Sequence, residues 1–242
     1  MPRGQRDYGM YATTELIASV SDMGELAARL DSIDTYDRRG NVLFLESFDN
    51  DIGRWEVATS GAGASVAVSS EHSIRGLCSM KMVAGSTVSR SAKATARMSP
   101  VIASRFGFEI AVTLDTNMES WIGQNDFYTG ALKISAGFKY VRATNQWSVL
   151  TTGGAWLVVP IPAAPYFSPY LFYFSKSVFD ISKLAYVREI MANYTYDLSA
   201  IPLCVAADAT APHYESWIQL ISQGGFNAVS YLDSCIVTYN EP

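Results

Sequence analysis

From Asn41 onward, apolar and polar residues alternate with a period of two, and this alternation constrains the fold more than any other feature of the chain. Successive side chains of a β-strand point to opposite faces, so a period of two indicates strands with one buried and one solvated face. The clearest case is the segment from Ala131 to Arg142. Its expected core face carries Leu132, Ile134, Phe138 and Tyr140, and its expected solvent face carries Lys133, Ser135 and Lys139.

Similar short segments, each ended by Gly, Ser, Asn, Asp or Pro, follow one another to the end of the chain. Gly153 and Gly154 predict a turn between two paired strands, and the proline-rich residues 160–169 predict a loop. Many short strands at this spacing are typical of an antiparallel sandwich or barrel. We therefore predict an all-β fold, an antiparallel jelly-roll sandwich, in one domain over residues 41–242.

Residues 1–40 differ from the rest and predict an N-terminal extended arm followed by a short helix from about Asp22 to Leu30. The first residues combine Gly, Arg and Tyr and carry too little apolar surface to pack by themselves. We expect this arm to bind a partner. The residues expected to make those contacts are Arg3, Arg6, Tyr8 and Tyr11.

Charge and cysteine content exclude several classes of protein. With 18 Lys and Arg against 23 Asp and Glu, the net charge is -5, which argues against nucleic acid as a partner. Cys78, Cys204 and Cys235 are far apart and form no zinc-binding pattern, so we expect three buried thiols. No signal peptide and no membrane span are expected, because long apolar runs are lacking.

Several short motifs resemble those of jelly-roll carbohydrate-binding modules and concanavalin-like sandwiches. The opening Phe44-Leu-Glu-Ser-Phe48-Asp49 and the later Gly76-Leu-Cys-Ser-Met80-Lys are similar to the first strands of such domains. The segment from Ala228 to Thr238 is similar to their last strand, which pairs with the first. The resemblance implies the sandwich fold for residues 41–239.

The resemblance also implies a structural calcium ion, since some of these modules hold calcium between the first and last strands. Its ligands here would be Glu46, Asp49 and Asp233. The alternative is that Asp49 caps a turn and that Asp233 accepts hydrogen bonds from the backbone at a strand end.

No catalytic set is evident in the sequence, and we predict that the protein is not an enzyme. A retaining glycosidase on such a sandwich commonly carries two carboxylates on one strand face, and that pattern is missing. The other candidate groups are expected to be solvated surface or loop residues. They are Glu109, Asp115, Glu189, Asp197, His72 and His213.

Aromatic residues flanked by loop signals could stack on sugars. Trp121, beside Gly123-Gln-Asn, and Tyr166, beside Pro165, are the two that we expect to be exposed and to bind a ligand.

The fold resemblance, the missing export signal and the arm together predict a phage virion structural protein, a capsid decoration or tail component. Such a protein is made in the host cytoplasm, binds other virion proteins, forms a homo-oligomer and has no membrane partner. Glycans are a further expected partner. Two alternatives stay open: a free carbohydrate-binding module or lectin, and a glycan-cleaving enzyme with a non-standard site.

Overall fold

The computed structural model describes residues 40–242 except 75, 100, 101, 163–165, 192 and 193. The described chain forms two antiparallel sheets of eight strands each, numbered β1 to β16 in chain order. The predicted arm, including Arg3, Arg6, Tyr8 and Tyr11, lies outside the described residues. The arm and the domain boundary at residue 41 therefore stay predictions.

The first sheet contains the last strand of the chain and its partners. In spatial order it consists of β13 (Tyr194–Asp197), β12 (Ala185–Met191), β11 (Phe172–Asp180), β6 (Arg105–Thr113), β16 (Ala228–Tyr239), β4 (Ser79–Ala84) and β3 (Ser65–Ser69). The eighth strand, β1 (Asn41–Glu46), also pairs with β16. The predicted pairing of the first and last strands is thus confirmed.

The second sheet has an equivalent arrangement. In spatial order it consists of β10 (Trp156–Val158), β9 (Gln146–Leu150), β8 (Leu132–Val141), β7 (Met118–Tyr128), β15 (His213–Ser222), β5 (Ser91–Met98) and β2 (Trp55–Thr59). The eighth strand, β14 (Cys204–Ala207), pairs with the first half of β8, and β9 pairs with the second half.

The inward faces of the two sheets enclose one large hydrophobic core, so the predicted sandwich is confirmed. Ile134, Phe138 and Tyr140 of β8 point into this core and are buried. Leu132, which we expected in the core, is 41% exposed. The alternation along β8 places Leu132 on the same face as Ile134, but Leu132 is the first residue of the strand and lies beyond the edge of the core.

Strand β7 was not anticipated, although it is central in its sheet. Its segment Gln124-Asn-Asp126 is polar on both faces, so the alternation that reveals the other strands is missing. Asn125 points inward and accepts hydrogen bonds from the hydroxyls of Tyr214 and Ser216, at 2.8 and 2.6 Å. A buried polar side chain is stable when it is hydrogen-bonded in this way. This strand, together with β15, positions the functional site.

Candidate functional site

The outward face of the second sheet carries a row of charged residues on its central strands. The strand register places Arg97 of β5 opposite Glu215 of β15, and Glu215 opposite Asp126 of β7. Asp126 in turn lies opposite Ser135 of β8. Cβ atoms of directly opposite residues lie about 5 Å apart, so two carboxylates meet at the centre of the sheet. We call these four residues the carboxylate row.

Glu215 lies in an open pocket of about 530 Å³ that is lined by Arg97, Tyr128, Thr210, His213 and Glu215. Its Oε1 accepts a hydrogen bond from the Tyr128 hydroxyl at 3.3 Å. Its Oε2 lies 3.3 Å from Arg97 Nε and 3.5 Å from His213 Nε2. A carboxylate, a phenol, an imidazole and a guanidinium therefore converge on one cavity.

Tyr128 and His213 lie directly opposite each other on β7 and β15, and their rings stack at 4.3 Å between centroids. His213 Nδ1 lies 2.8 Å from the carbonyl oxygen of Ala211. A carbonyl only accepts, so Nδ1 carries the proton in this contact and, in the neutral ring, Nε2 keeps its lone pair. Burial raises the pKa of the Tyr128 hydroxyl, which is therefore protonated at neutral pH.

Asp126 is fully buried and accepts hydrogen bonds at both oxygens. Oδ1 accepts from Gln124 Nε2 at 2.8 Å and from the Ser135 hydroxyl at 2.5 Å. Oδ2 accepts from Trp217 Nε1 at 2.8 Å and pairs with Lys133 Nζ at 3.0 Å. Burial, the largest single effect, would lower the pKa of Lys133, but the charge of Asp126 together with hydrogen bonds to Asp126 and Tyr128 outweighs it, and the pKa is raised. Asp126 thus orients its neighbours, whereas Glu215 faces the pocket.

Of the two aromatic residues that we predicted to be exposed and to bind a ligand, Trp121 does not fit the prediction. Trp121 is 1% exposed and points into the core, because the polar residues after it continue β7 and do not form a loop. Tyr166 is 67% exposed, as expected, and its binding role stays a prediction.

The structure does not bring the three predicted calcium ligands together. In the described ranges, no group of three or more His, Cys, Asp or Glu residues could hold a metal ion. Asp49 Oδ1 accepts backbone hydrogen bonds from Leu77 at 2.7 Å and Cys78 at 3.2 Å. Asp233 Oδ1 accepts one from Ile74 at 2.9 Å, and Glu46 lies 3.9 Å from Arg54. These contacts match the turn and strand-end alternative for the two aspartates.

Several expected surface groups are in fact buried. Glu109 is 1% exposed, and Glu189 is fully buried with both oxygens bonded to the hydroxyls of Ser175 and Ser177. Both lie on central parts of the first sheet, where their strands are paired on two sides. His213 was expected in a loop and instead begins β15. His72 packs edge-on between Tyr170 and Tyr231, at 4.6 and 4.7 Å.

The functional residues that sequence reasoning missed were Tyr128, Asp126, Glu215 and Arg97. No single strand carries the pair of carboxylates, because the structure assembles it from two strands that are distant in sequence. A signal was present: His213-x-Glu215-x-Trp217 alternates polar and aromatic residues on one strand face.

No family model matches the chain, and no curated protein is significantly similar to it. Solved structures of similar fold do exist. The endo-β-1,4-glucuronan lyase of Trichoderma reesei has a TM-score of 0.55 at 9% identity, over 83% of this chain and 96% of that one. An endo-1,3-β-glucanase (laminarinase) catalytic domain from Thermotoga petrophila has a TM-score of 0.50 at 10% identity, over 84% and 99%.

A third similar structure belongs to endo-acting O-glycanases of the human gut microbiota, with a TM-score of 0.50 at 12% identity, over 83% and 100% of the two chains. At these identities the likeness establishes only the fold of this chain, a jelly-roll β-sandwich. Within the described residues, no helix is long and apolar enough to cross a membrane.

The prediction of a non-enzymatic virion structural protein is wrong. The three similar structures named above are those of glycan-cleaving enzymes. The missing carboxylate pattern along one strand does not carry that prediction either, because the structure brings Asp126 and Glu215 together from two strands.

Proposed function

We propose that this protein is a glycan-cleaving enzyme whose reacting groups line the Glu215 pocket. The observation that carries the proposal is the convergence of Glu215, Tyr128, His213 and Arg97 on one cavity. Positioned proton donors and acceptors in a cavity are what glycosidic bond cleavage requires. The enzymes of similar fold named above cleave glycans, which supports the same class of activity here.

The hydrogen bonds of Asp126 favour elimination over hydrolysis. Hydrolysis by a retaining or inverting route needs two carboxylates that are free to act on the sugar or on water. Asp126 is fully buried and holds four donors, so only Glu215 is available from the pair. Elimination from a uronic acid residue needs one base, one acid and a cation for the substrate carboxylate. The pocket contains all three.

In the proposed reaction, His213 Nε2 takes the proton from the carbon next to the substrate carboxylate. The electron pair of that C–H bond forms a carbon–carbon double bond, and the bond from the adjacent carbon to the glycosidic oxygen breaks. The Tyr128 hydroxyl gives its proton to that oxygen, and exchange with solvent restores both side chains. Arg97, which is paired with Glu56 at 2.9 Å and with Glu215 at 3.3 Å, is the cation that would face the substrate carboxylate, and Glu215 positions the Tyr128 hydroxyl.

The Tyr128→Phe variant tests this proposal. Phenylalanine keeps the ring and its stack on His213 but removes the acid, so the cleavage rate should fall by roughly 10²- to 10⁴-fold. Tyr194→Phe is the matched control, because Tyr194 is 67% exposed on β13 of the other sheet. The measurement is release of new reducing ends from polyglucuronate, polygalacturonate, alginate and a neutral β-glucan. No release from any polymer, or full activity in Tyr128→Phe, would overturn the proposal.

A further inference from the structure

Beside the carboxylate row, the outward face of the second sheet carries two tryptophans that the pocket does not use. Trp217 of β15 lies opposite Gln124 of β7, and Gln124 lies opposite Gly137 of β8. On the far side, Trp156 of β10 lies opposite Leu150 of β9. A Cβ on Gly137 would stand 3.1 Å from the outer edge of the Trp156 ring, so this ring reaches back over Gly137. Both indoles are partly exposed.

The next row on the same face carries two lysines, each held over one of these rings. Lys93 lies opposite Gln219, Gln219 opposite Ile122, and Ile122 opposite Lys139. Lys93 Nζ is 4.2 Å from the centroid of the Trp217 ring, and Lys139 Nζ is 4.5 Å from that of Trp156. Three strand spacings separate the lysines, or about 14 Å. We call Trp217, Trp156, Lys93 and Lys139 the tryptophan–lysine strip.

Within the described ranges the two ammonium groups form no close ion pair, and the carboxylates that act on them, Glu215 and Asp126 on Lys93 and Glu119 on Lys139, do so without direct contact. Neither Nζ has a carboxylate within 4.0 Å there, whereas Lys133, a neighbour of the carboxylate row, is paired with Asp126 at 3.0 Å. Burial lowers the pKa of both Lys93 and Lys139, as expected for cations that are partly desolvated without full compensation. A negatively charged ligand group beside each tryptophan ring would compensate the positive charge of the lysine that lies over that ring.

We propose that the tryptophan–lysine strip binds an acidic glycan laid across the strands, with one acidic sugar at each Trp and Lys pair. A sugar ring stacks its apolar face on an indole, and a carboxylate or sulfate on the same ring accepts a charge-assisted hydrogen bond from the adjacent ammonium. Gln219 lies between the two lysines in their row and offers its amide group to an intervening hydroxyl, whereas the buried Gln124 holds Asp126.

The strip is continuous with the Glu215 pocket, because the Trp217 ring nitrogen donates to Asp126 of the carboxylate row. A glycan chain bound on the tryptophan–lysine strip would therefore lie next to the Glu215 pocket. The inference rests on the proposed function only in taking glycans as the ligand class, since the strip and the pocket consist of different residues.

Isothermal titration calorimetry on the full chain tests the inference, in a Tyr128→Phe background that limits turnover. The probes are hexamers of glucuronic, galacturonic and mannuronic acid, with cellohexaose as the neutral probe. At least one acidic hexamer should bind more tightly than cellohexaose. Lys93→Gln and Lys139→Gln should each weaken that binding about tenfold, because each removes one charged hydrogen bond.

Lys183→Gln is the matched control, since Lys183 is an exposed lysine in the turn between β11 and β12 and its loss should leave binding unchanged. The inference is overturned if no acidic hexamer binds, if cellohexaose binds equally well, or if the two strip variants match Lys183→Gln. Lysine-dependent binding without any cleavage by the parent chain would contradict the proposed function alone. Cleavage with normal binding by the lysine variants would contradict the strip alone.

Discussion

Asp126 shows how one residue organises the site without touching a substrate. Its four donors come from β7, β8 and β15, so the carboxylate links the three central strands of the second sheet. A buried charge is tolerated only when it is paired and hydrogen-bonded, and this one is both. Asp126 therefore orients Trp217 and Lys133.

Asp126→Asn should destabilise the fold. Asparagine keeps the shape of the side chain but removes the negative charge that pairs with Lys133. Its amide nitrogen also replaces one carboxylate oxygen, so a donor would face groups that now donate to Asp126. We expect a loss of about 2 to 4 kcal/mol in the free energy of unfolding. Urea denaturation provides the measurement, with Glu119→Gln as the control, because Glu119 is an exposed carboxylate on the same strand. Equal stability of the two variants would contradict the assigned role.

At the scale of strands, the sequence predicted those in which one face is apolar and the other polar. β8 and the hairpin of β9 and β10 are examples, and the structure confirms both. β7 was missed because Asn125 is polar yet points inward, and Trp121 was misplaced for the same reason. The pairing of β7 with β15 decides which carboxylates meet, and no local pattern contains that information.

Glu189 on β12 is a buried carboxyl group that should make stability depend on pH. Burial raises its pKa from 4.5 to about 7 in the folded protein, although the hydroxyls of Ser175 and Ser177 partly oppose the shift. Between these two values the folded state binds more protons than the unfolded state. The free energy of unfolding should therefore fall as pH rises from about 4.5 to about 7 and level off above that range.

Glu189→Gln should remove this dependence, because glutamine stays neutral in both states. The variant should gain roughly 2 to 3 kcal/mol over the parent at alkaline pH and little at acidic pH. Denaturant titrations of both proteins at several pH values between about 4.5 and about 7 would measure this difference in the free energy of unfolding. If the free energy of unfolding of Glu189→Gln depended on pH as that of the parent does, or if that of the parent did not depend on pH, Glu189 would not be the origin of the effect.

At the scale of the whole molecule, the two outward faces of the sandwich differ in character. The first sheet holds a buried ion pair, with Lys176 Nζ at 2.8 Å from Glu241 Oε1. The second sheet instead presents the open pocket around Glu215 and the partly exposed tryptophan–lysine strip. The sequence predicted the sandwich, but the difference between its faces depends on strand order.

The central claim is that the second sheet cleaves a glycan by elimination, and mass spectrometry of the products tests it most directly. An elimination product with its new double bond is lighter by one water molecule than the corresponding hydrolysis product. The protein, incubated with acidic polysaccharides in ¹⁸O-labelled water, should release unsaturated oligosaccharides that carry no label at the cleaved bond, and Tyr128→Phe should release almost none. Labelled, saturated products would contradict elimination, and intact polymers throughout would contradict the claim that this protein cleaves glycans.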